Sequence, residues 1–204
     1  MVSLFVSCER SDDKSQKGID EFYIKENQIK TVTDIDGNIY KTFTIGTQTW
    51  MAENFRVTRD PTGKTLESYC YNDDTSFCRK YGRLYTWKTI MNGSEAECEQ
   101  GISPNGWHIP SNKDWQTLIN YLGGEKIAGR KLKIKGSSGF EAQFSGGADY
   151  RGSYVFFNSE GLFWSSTQIN QQRAYYQSIS KIDKSTYHAA MKNARISIRC
   201  IKDN

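Results

Sequence analysis

Residues 104–124 read PNGWHIPSNKDWQTLINYLGG, and they carry the clearest secondary-structure signal in the chain. Ser111 is followed three residues later by Asp114, the spacing of a capping box with Asp in place of the usual Glu. Trp115, Leu118, Ile119 and Leu122 then fall at i, i+3, i+4 and i+7, and Gly123 supplies a stop. The spacing predicts one amphipathic helix with an apolar stripe to bury.

On either side the periodicity changes to that of strands. Residues 31–45 (TVTDIDGNIYKTFTI) alternate around Asp36-Gly37-Asn38, a hairpin signal. Asp34-x-Asp36-Gly37 also opens like a calcium loop, but the twelfth position, which must be Glu, is Ile45, so a turn is expected. A short turn at Gly46-Thr47 leads to a further strand over 48–52, and 84–91 (LYTWKTIM) reads as a short helix. Residues 56–81 are polar and turn-rich and read as irregular. Beyond Phe140, short strands are expected at 142–144, 149–157, 162–166, 174–182, 187–191 and 194–201. In the last, Ile196, Ile198 and Cys200 share one face and Arg195, Ser197 and Arg199 the other. Strands, a helical middle, then strands give an α+β class.

Composition narrows the function. Twelve Tyr, ten Phe and five Trp against few aliphatic residues fit a loop-rich fold built on large anchors. The net charge of +4 is spread along the chain, and the mild basic cluster at Arg130, Lys131, Lys133 and Lys135 reads as a solvated face. No nucleic-acid partner is expected without a denser basic stripe. No run of 18 apolar residues is present to cross a membrane.

The first residues point to export. Residues 1–7 (MVSLFVS) are apolar, end on small Ser7, and precede Cys8 and a polar run, as at the end of a bacterial lipoprotein signal. Cys8 is the expected lipidation site and membrane anchor. The Ser11-Asp12-Asp13 that follows resembles the acidic export signal of Bacteroidetes surface lipoproteins. Seven residues fall short of a full signal, so 1–7 is read as a remnant with the true start upstream. Residues 8–27 form a tether and 28–204 the domain, placed at the cell outer membrane and surface-exposed.

The four cysteines besides Cys8 suit an oxidising compartment and two disulfides among three connectivities. Cys70 and Cys78 flank a turn-rich stretch and suggest a local staple, which leaves Cys98 with Cys200. A zinc site would need Cys-x-x-Cys pairs or a histidine near a cysteine. Neither is visible in the sequence, so no metal or cofactor is expected.

Four stretches together carry a resemblance: TDIDGNIYKTFTIGTQTWMAENF (33–55), YCYNDDTSFCRKYGRLYTW (69–87), GISPNGWHIPSNKDWQTLINYLGG (101–124) and GLFWSST…SIRCIKDN (161–204). In order and spacing they resemble the Fibrobacter succinogenes major paralogous domain, over about residues 28–204. The resemblance implies a C-type-lectin-like fold, also similar to formylglycine-generating enzyme. Such a fold is a twisted, mostly antiparallel sheet with flanking helices and long loops. The Cys70–Cys78 pairing agrees with it. The family commonly has a cysteine where this chain has Ser103, and Cys98 is expected to substitute in the bridge to Cys200.

Chemistry by analogy finds little support. Formylglycine-type catalysis needs a pair of reactive cysteines, and only Cys200 lies beyond Cys98. Calcium-dependent sugar binding needs Glu-Pro-Asn or Gln-Pro-Asp with Trp-Asn-Asp, whereas Trp164-Ser165-Ser166-Thr167 stands at the comparable place. No Gly-x-Ser-x-Gly elbow or phosphate loop is present. His108, between Trp107 and Ile109, reads as a hydrogen-bonded structural residue. The expectation is a non-enzymatic lipoprotein that recognises a saccharide or protein. Trp164, Asn170, Gln172, Arg173, Tyr175 and Tyr176 are the candidate contacts, because amide, Arg and Tyr side chains make adaptable binding surfaces. The alternative is a structural envelope component whose aromatics are all core.

Overall fold

A computed structural model of the chain describes residues 30–203. Cys8, residues 1–7 and the tether over 8–27 lie outside the described residues.

The hairpin forms where Asp36-Gly37-Asn38 places it. β1 (Lys30–Thr33) pairs antiparallel with β2 (Ile39–Ile45), Thr33 opposite Ile39. One Asp34 carboxylate oxygen accepts from the Asp36 and Asn38 amides at 2.9 Å, and the other accepts from the Tyr40 hydroxyl at 2.6 Å. Gly37 at φ 81° supplies the left-handed residue the turn requires. The calcium-loop look-alike is an Asx turn. β3 (Gln48–Met51) continues the meander across Gly46-Thr47, Ile45 opposite Gln48.

Two late elements complete this sheet. β10 (Ile201–Lys202) lies between β3 and β4 (Trp107–His108), in the order β1-β2-β3-β10-β4, all antiparallel. A second sheet is the meander β7 (Glu160–Gln168), β8 (Arg173–Ser180) and β9 (Ser185–Met191); β5 (Gly147–Ala148) and β6 (Tyr154–Val155) make a small ribbon. The architecture is mixed helix and curled antiparallel sheet, the α+β class expected.

Residues 194–200 stitch the parts together. Tyr85 N donates to Ile196 O, Trp164 N to Ser197 O, Phe55 N to Ile198 O and Met51 N to Cys200 O. Both faces of the expected alternation are therefore covered here. Neighbours lie on both sides, and Ser197 and Arg199 are as buried as Ile198 and Cys200. Arg199 is fully buried, with no carboxylate partner among the described residues. Its guanidinium donates to the Phe140 carbonyl, to Glu141 O at 2.9 Å and to Asn54 Oδ1 at 2.9 Å, and lies 4.4 Å from the Phe140 ring centroid.

Among the described residues, four α-helices flank the sheets. α1 (Thr75–Tyr81) starts on Asp74, whose carboxylate accepts from Ser76 N, and is stapled to the preceding 3₁₀ turn by the Cys70–Cys78 disulfide. It occupies a stretch expected to be irregular, because only Cys78 is buried and no apolar period marks it. α2 (Trp87–Met91) is shorter than the expected 84–91. Leu84 and Tyr85 pair instead with Tyr69 and Ile196, and the Thr86 hydroxyl caps the helix after them. α3 (Asn112–Tyr121) has the full capping box of Ser111 and Asp114 and buries Trp115, Leu118 and Ile119, as its spacing requires. α4 (Glu125–Leu132) carries part of the basic cluster on its outer side and buries Ala128, Gly129 and Leu132. A Cβ on Gly129 would meet Asp183 O at 2.3 Å, so α4 rests backbone to backbone on the β8–β9 turn.

Strand alternation sorts the aromatics into two cores. On β7, Leu162 and Trp164 join a cluster with Tyr40, Tyr85, Trp87 and Trp107, while Phe163 joins Trp50, Trp115, Leu118 and Phe140. Trp50 and Trp115 pack at 4.7 Å between centroids. The anchors inferred from composition are these rings.

The Cys98–Cys200 bridge does not form. Cys200 is buried in the first core, its sulfur accepting from Ser103 Oγ at 3.0 Å, while Cys98 is exposed on the loop before. The position facing Cys200 is Ser103, five residues after Cys98, so the expected substitution would have to drag a surface loop into the core.

Candidate functional site

The six candidate contacts do not make one surface. Trp164 is completely buried, and its indole N–H donates to Tyr85 O at 2.9 Å; contrary to the sequence expectation it is a core anchor, out of reach of a ligand. Tyr175 and Tyr176 are adjacent on β8 and so face opposite ways. Tyr175 sits half-buried and edge-on to Tyr187 at 6.2 Å, and Tyr176 packs on Trp164 and His188. Asn170, Gln172 and Arg173 do lie together on the exposed β7–β8 turn. There Asn170 Oδ1 accepts from the Gln172 and Arg173 amides at 3.0 and 2.9 Å, which shapes the turn and uses up that oxygen.

Beside this turn is a groove of about 480 Å³ lined by the first turn of α2, the loop that follows α2 and the residues just after β9. Its floor is Trp87, whose ring face is covered by the Lys192 ammonium at 3.9 Å. Lys192 Nζ also donates to Gln168 Oε1 at 2.6 Å, and Gln168 Nε2 donates to Glu95 O at 3.3 Å. Glu95, Gln171 and Asn193 are exposed around the groove. The walls thus present carboxylate, amide and ammonium groups and no open aromatic face, a set suited to hydrogen-bonding a polar ligand. Gln171 lies between Asn170 and Gln172, two of the residues expected from sequence; Trp87, which opens α2, and Glu95, Lys192 and Asn193, on loops distant in sequence, gave no linear signal.

A second constellation was missed from sequence. The Cys98 loop, His108 at the end of β4 and Asp114 in the first turn of α3 converge until one ligating atom of each lies within 4.8 Å of the others. His108 Nδ1 is 2.6 Å from Asp203 Oδ1, and its Nε2 is 3.5 Å from Asp114 Oδ2. Cys98 Sγ is 3.7 Å from the same Asp114 oxygen. A histidine therefore does stand near a cysteine, contrary to the sequence expectation, because sheet pairing and a loop join positions whose spacing matches no short motif.

The electrostatics of the group follow from its neighbours. Burial pushes the Asp114 carboxyl up, but His108 and the Ser111 hydroxyl and amide outweigh it and hold it at about 2. Burial opposes protonation of His108, yet Asp114 and Asp203 on either side raise its pKa. Burial first, and the Asp114 charge with it, raise the Cys98 thiol, so the cysteine is not set up as a nucleophile. The hydrogen-bonded role expected for His108 is present in its contact with Asp203.

A search of curated proteins and of solved structures finds no match to the chain. Residues 43–202 match the model of the Fibrobacter succinogenes major domain, and the chain belongs to that family.

Proposed function

We propose that this chain is an exported, lipid-anchored recognition domain that binds a saccharide in the groove beside the β7–β8 turn and carries out no catalysis. The observation that carries the reading is the groove itself. Glu95, Gln171, Lys192 and Asn193 converge on it, side chains that can bracket vicinal hydroxyls with donors and acceptors. A C-type-lectin-like frame, as the family resemblance implies, fits a binding surface built from loops on a rigid sheet. The Cys8 sequence context supports outer-membrane anchoring, and the Cys70–Cys78 disulfide is compatible with an oxidising compartment.

The test is a glycan array with the intact chain, followed by calorimetry on any hit. Lys192→Ala is expected to weaken binding by about tenfold or more, since a hydrogen bond to a charged group is worth roughly 1.5–3 kcal/mol, and Gln171→Ala by roughly 2–10-fold, since a neutral one is worth roughly 0.5–1.5 kcal/mol. Blank arrays, or affinity unchanged in both variants, would refute the groove. Anchoring is tested separately, by a fatty-acid label in the native host that should disappear in Cys8→Ala.

A further inference from the structure

We propose that Cys98, His108 and Asp114 form a three-ligand site for a transition-metal dication of the zinc class, with a fourth position open. The inference is independent of the saccharide groove.

Two of the three separations are those of a tetrahedron's edges, and the third, between Cys98 Sγ and the His108 ring, is within 4.8 Å. Zinc bonds of about 2.3 Å to sulfur, 2.0–2.1 Å to imidazole nitrogen and 2.0–2.2 Å to carboxylate oxygen place S and O roughly 3.6 Å apart and N and O roughly 3.4 Å apart. The corresponding separations here are 3.7 Å for Cys98 Sγ to Asp114 Oδ2 and 3.5 Å for His108 Nε2 to the same oxygen. At 3.5 Å the imidazole and carboxylate stand too far apart for a good hydrogen bond. Two ligands of one cation stand apart in this way.

Supporting contacts orient the ligands. Asp203 takes the Nδ1 side of His108 at 2.6 Å, leaving Nε2 to face Cys98 and Asp114. A carboxylate on the far nitrogen of a metal-bound histidine is the usual device for fixing its tautomer. The Ser111 amide and hydroxyl hold Asp114 through the same Oδ2, at 2.8 and 2.7 Å, so a bound ion would take the place of the hydroxyl's hydrogen bond on that oxygen while the amide keeps the carboxylate in position. The Cys98 loop is pinned to β7 through its own amide and Ser166 Oγ at 3.2 Å. His108 and Asp114 sit on regular elements, which makes most of the geometry pre-formed.

The ligand chemistry selects the ion. Thiolate, imidazole and carboxylate together suit zinc and its neighbours, whereas calcium and magnesium take oxygen ligands. One thiolate and one carboxylate also neutralise a dication, which favours binding at a half-buried site. A cysteine–histidine nucleophile is the poorer fit, because the thiol's close contact is to a carboxylate.

The experiment titrates the chelator-stripped full chain with Zn²⁺ by calorimetry and with Co²⁺ by absorption. Expected are one equivalent per chain and, with cobalt, a thiolate charge-transfer band with the ligand-field bands of a tetrahedral ion. Cys98→Ser, at an exposed position, should abolish the charge-transfer band while leaving the circular dichroism unchanged. Asp203→Asn should weaken affinity by about 10–100-fold, as loss of an orienting partner does elsewhere. Cys8→Ser and Cys200→Ser should leave the titration unaltered. No saturable binding at one equivalent, or a charge-transfer band that survives Cys98→Ser, overturns the site. If His108→Ala fails to fold, Cys98→Ser decides alone.

Discussion

The buried sulfur of Cys200 accepts a 3.0 Å hydrogen bond from Ser103 Oγ, so these two side chains face each other across the first core. The resemblance to the family puts a cysteine at this position, and the contact gives that a physical reading. A disulfide needs its sulfurs about 2.05 Å apart, roughly an ångström closer than the present pair. Ser103→Cys made under oxidising conditions is expected to bridge to Cys200 and raise stability by about 2–4 kcal/mol, because the closed loop is long. Peptide mapping without reductant reads the bridge, and denaturant melts read the gain. Recovery of both thiols free would show that the backbones cannot close.

Arg199 sets a second expectation. Its donor contacts satisfy Phe140 O, Glu141 O and Asn54 Oδ1 in the buried interior. Removing the guanidinium strands three acceptors, each at about 1–3 kcal/mol. Arg199→Ala should therefore cost at least about 3 kcal/mol. Arg199→Lys should recover only part of this, since an ammonium cannot present the planar fork. A Lys variant as stable as the wild type would mean that charge alone, rather than fork geometry, holds this part of the core together.

What the sequence revealed and what it concealed divide along local and non-local lines. The β1–β2 hairpin and α3 were legible because Asp36-Gly37-Asn38 and Ser111-x-x-Asp114 act within a few residues of themselves. α1 was hidden because its partner is tertiary: Phe77 and Tyr81 pack on Phe157, as does Tyr71 just before the helix. α4 buries only Ala128, Gly129 and Leu132, too small a stripe to show among lysines. The expected strands at 142–144 and 149–157 shrink to a bridge at Ala142 and to β6, because glycine turns consume the rest. In residues 194–200 the alternation was real but both faces were covered, which a period of two cannot report. Of the site, the polar β7–β8 turn was legible and Gln171 lies in it. Lys192, Glu95 and the Cys98–His108–Asp114 group depend on which loops meet.

Trp164 and Tyr187 separate core from surface among the aromatics of the second sheet. Trp164 is fully buried and hydrogen-bonded to Tyr85 O, whereas Tyr187 is 43% exposed. Trp164→Ala should cost about 3–5 kcal/mol as a large-to-small core change. Tyr187→Ala should cost below about 1 kcal/mol, as is usual at the surface. Urea midpoints compare the two directly, and equal losses would mean that Tyr187 anchors the sheet edge more firmly than its exposure implies.

The Cys70–Cys78 bridge closes a short loop, with eight residues of separation, so its contribution should be moderate. The loop-entropy relation gives about 2–3 kcal/mol for that length. The double change Cys70→Ser and Cys78→Ser is thus expected to lower the melting temperature by roughly 5–10 °C in a chain of this size. The rings around the bridge give the loss a location. Tyr71, Phe77, Tyr81 and Phe157 stay packed within 5.1–5.7 Å of one another in the pairs they form. They are only partly buried, and α1 has no other buried anchor than Cys78 itself. Limited proteolysis of the double variant should therefore cut first between residues 70 and 82. Cleavage that begins instead in α3 would mean that the staple stabilises the whole domain rather than its own corner.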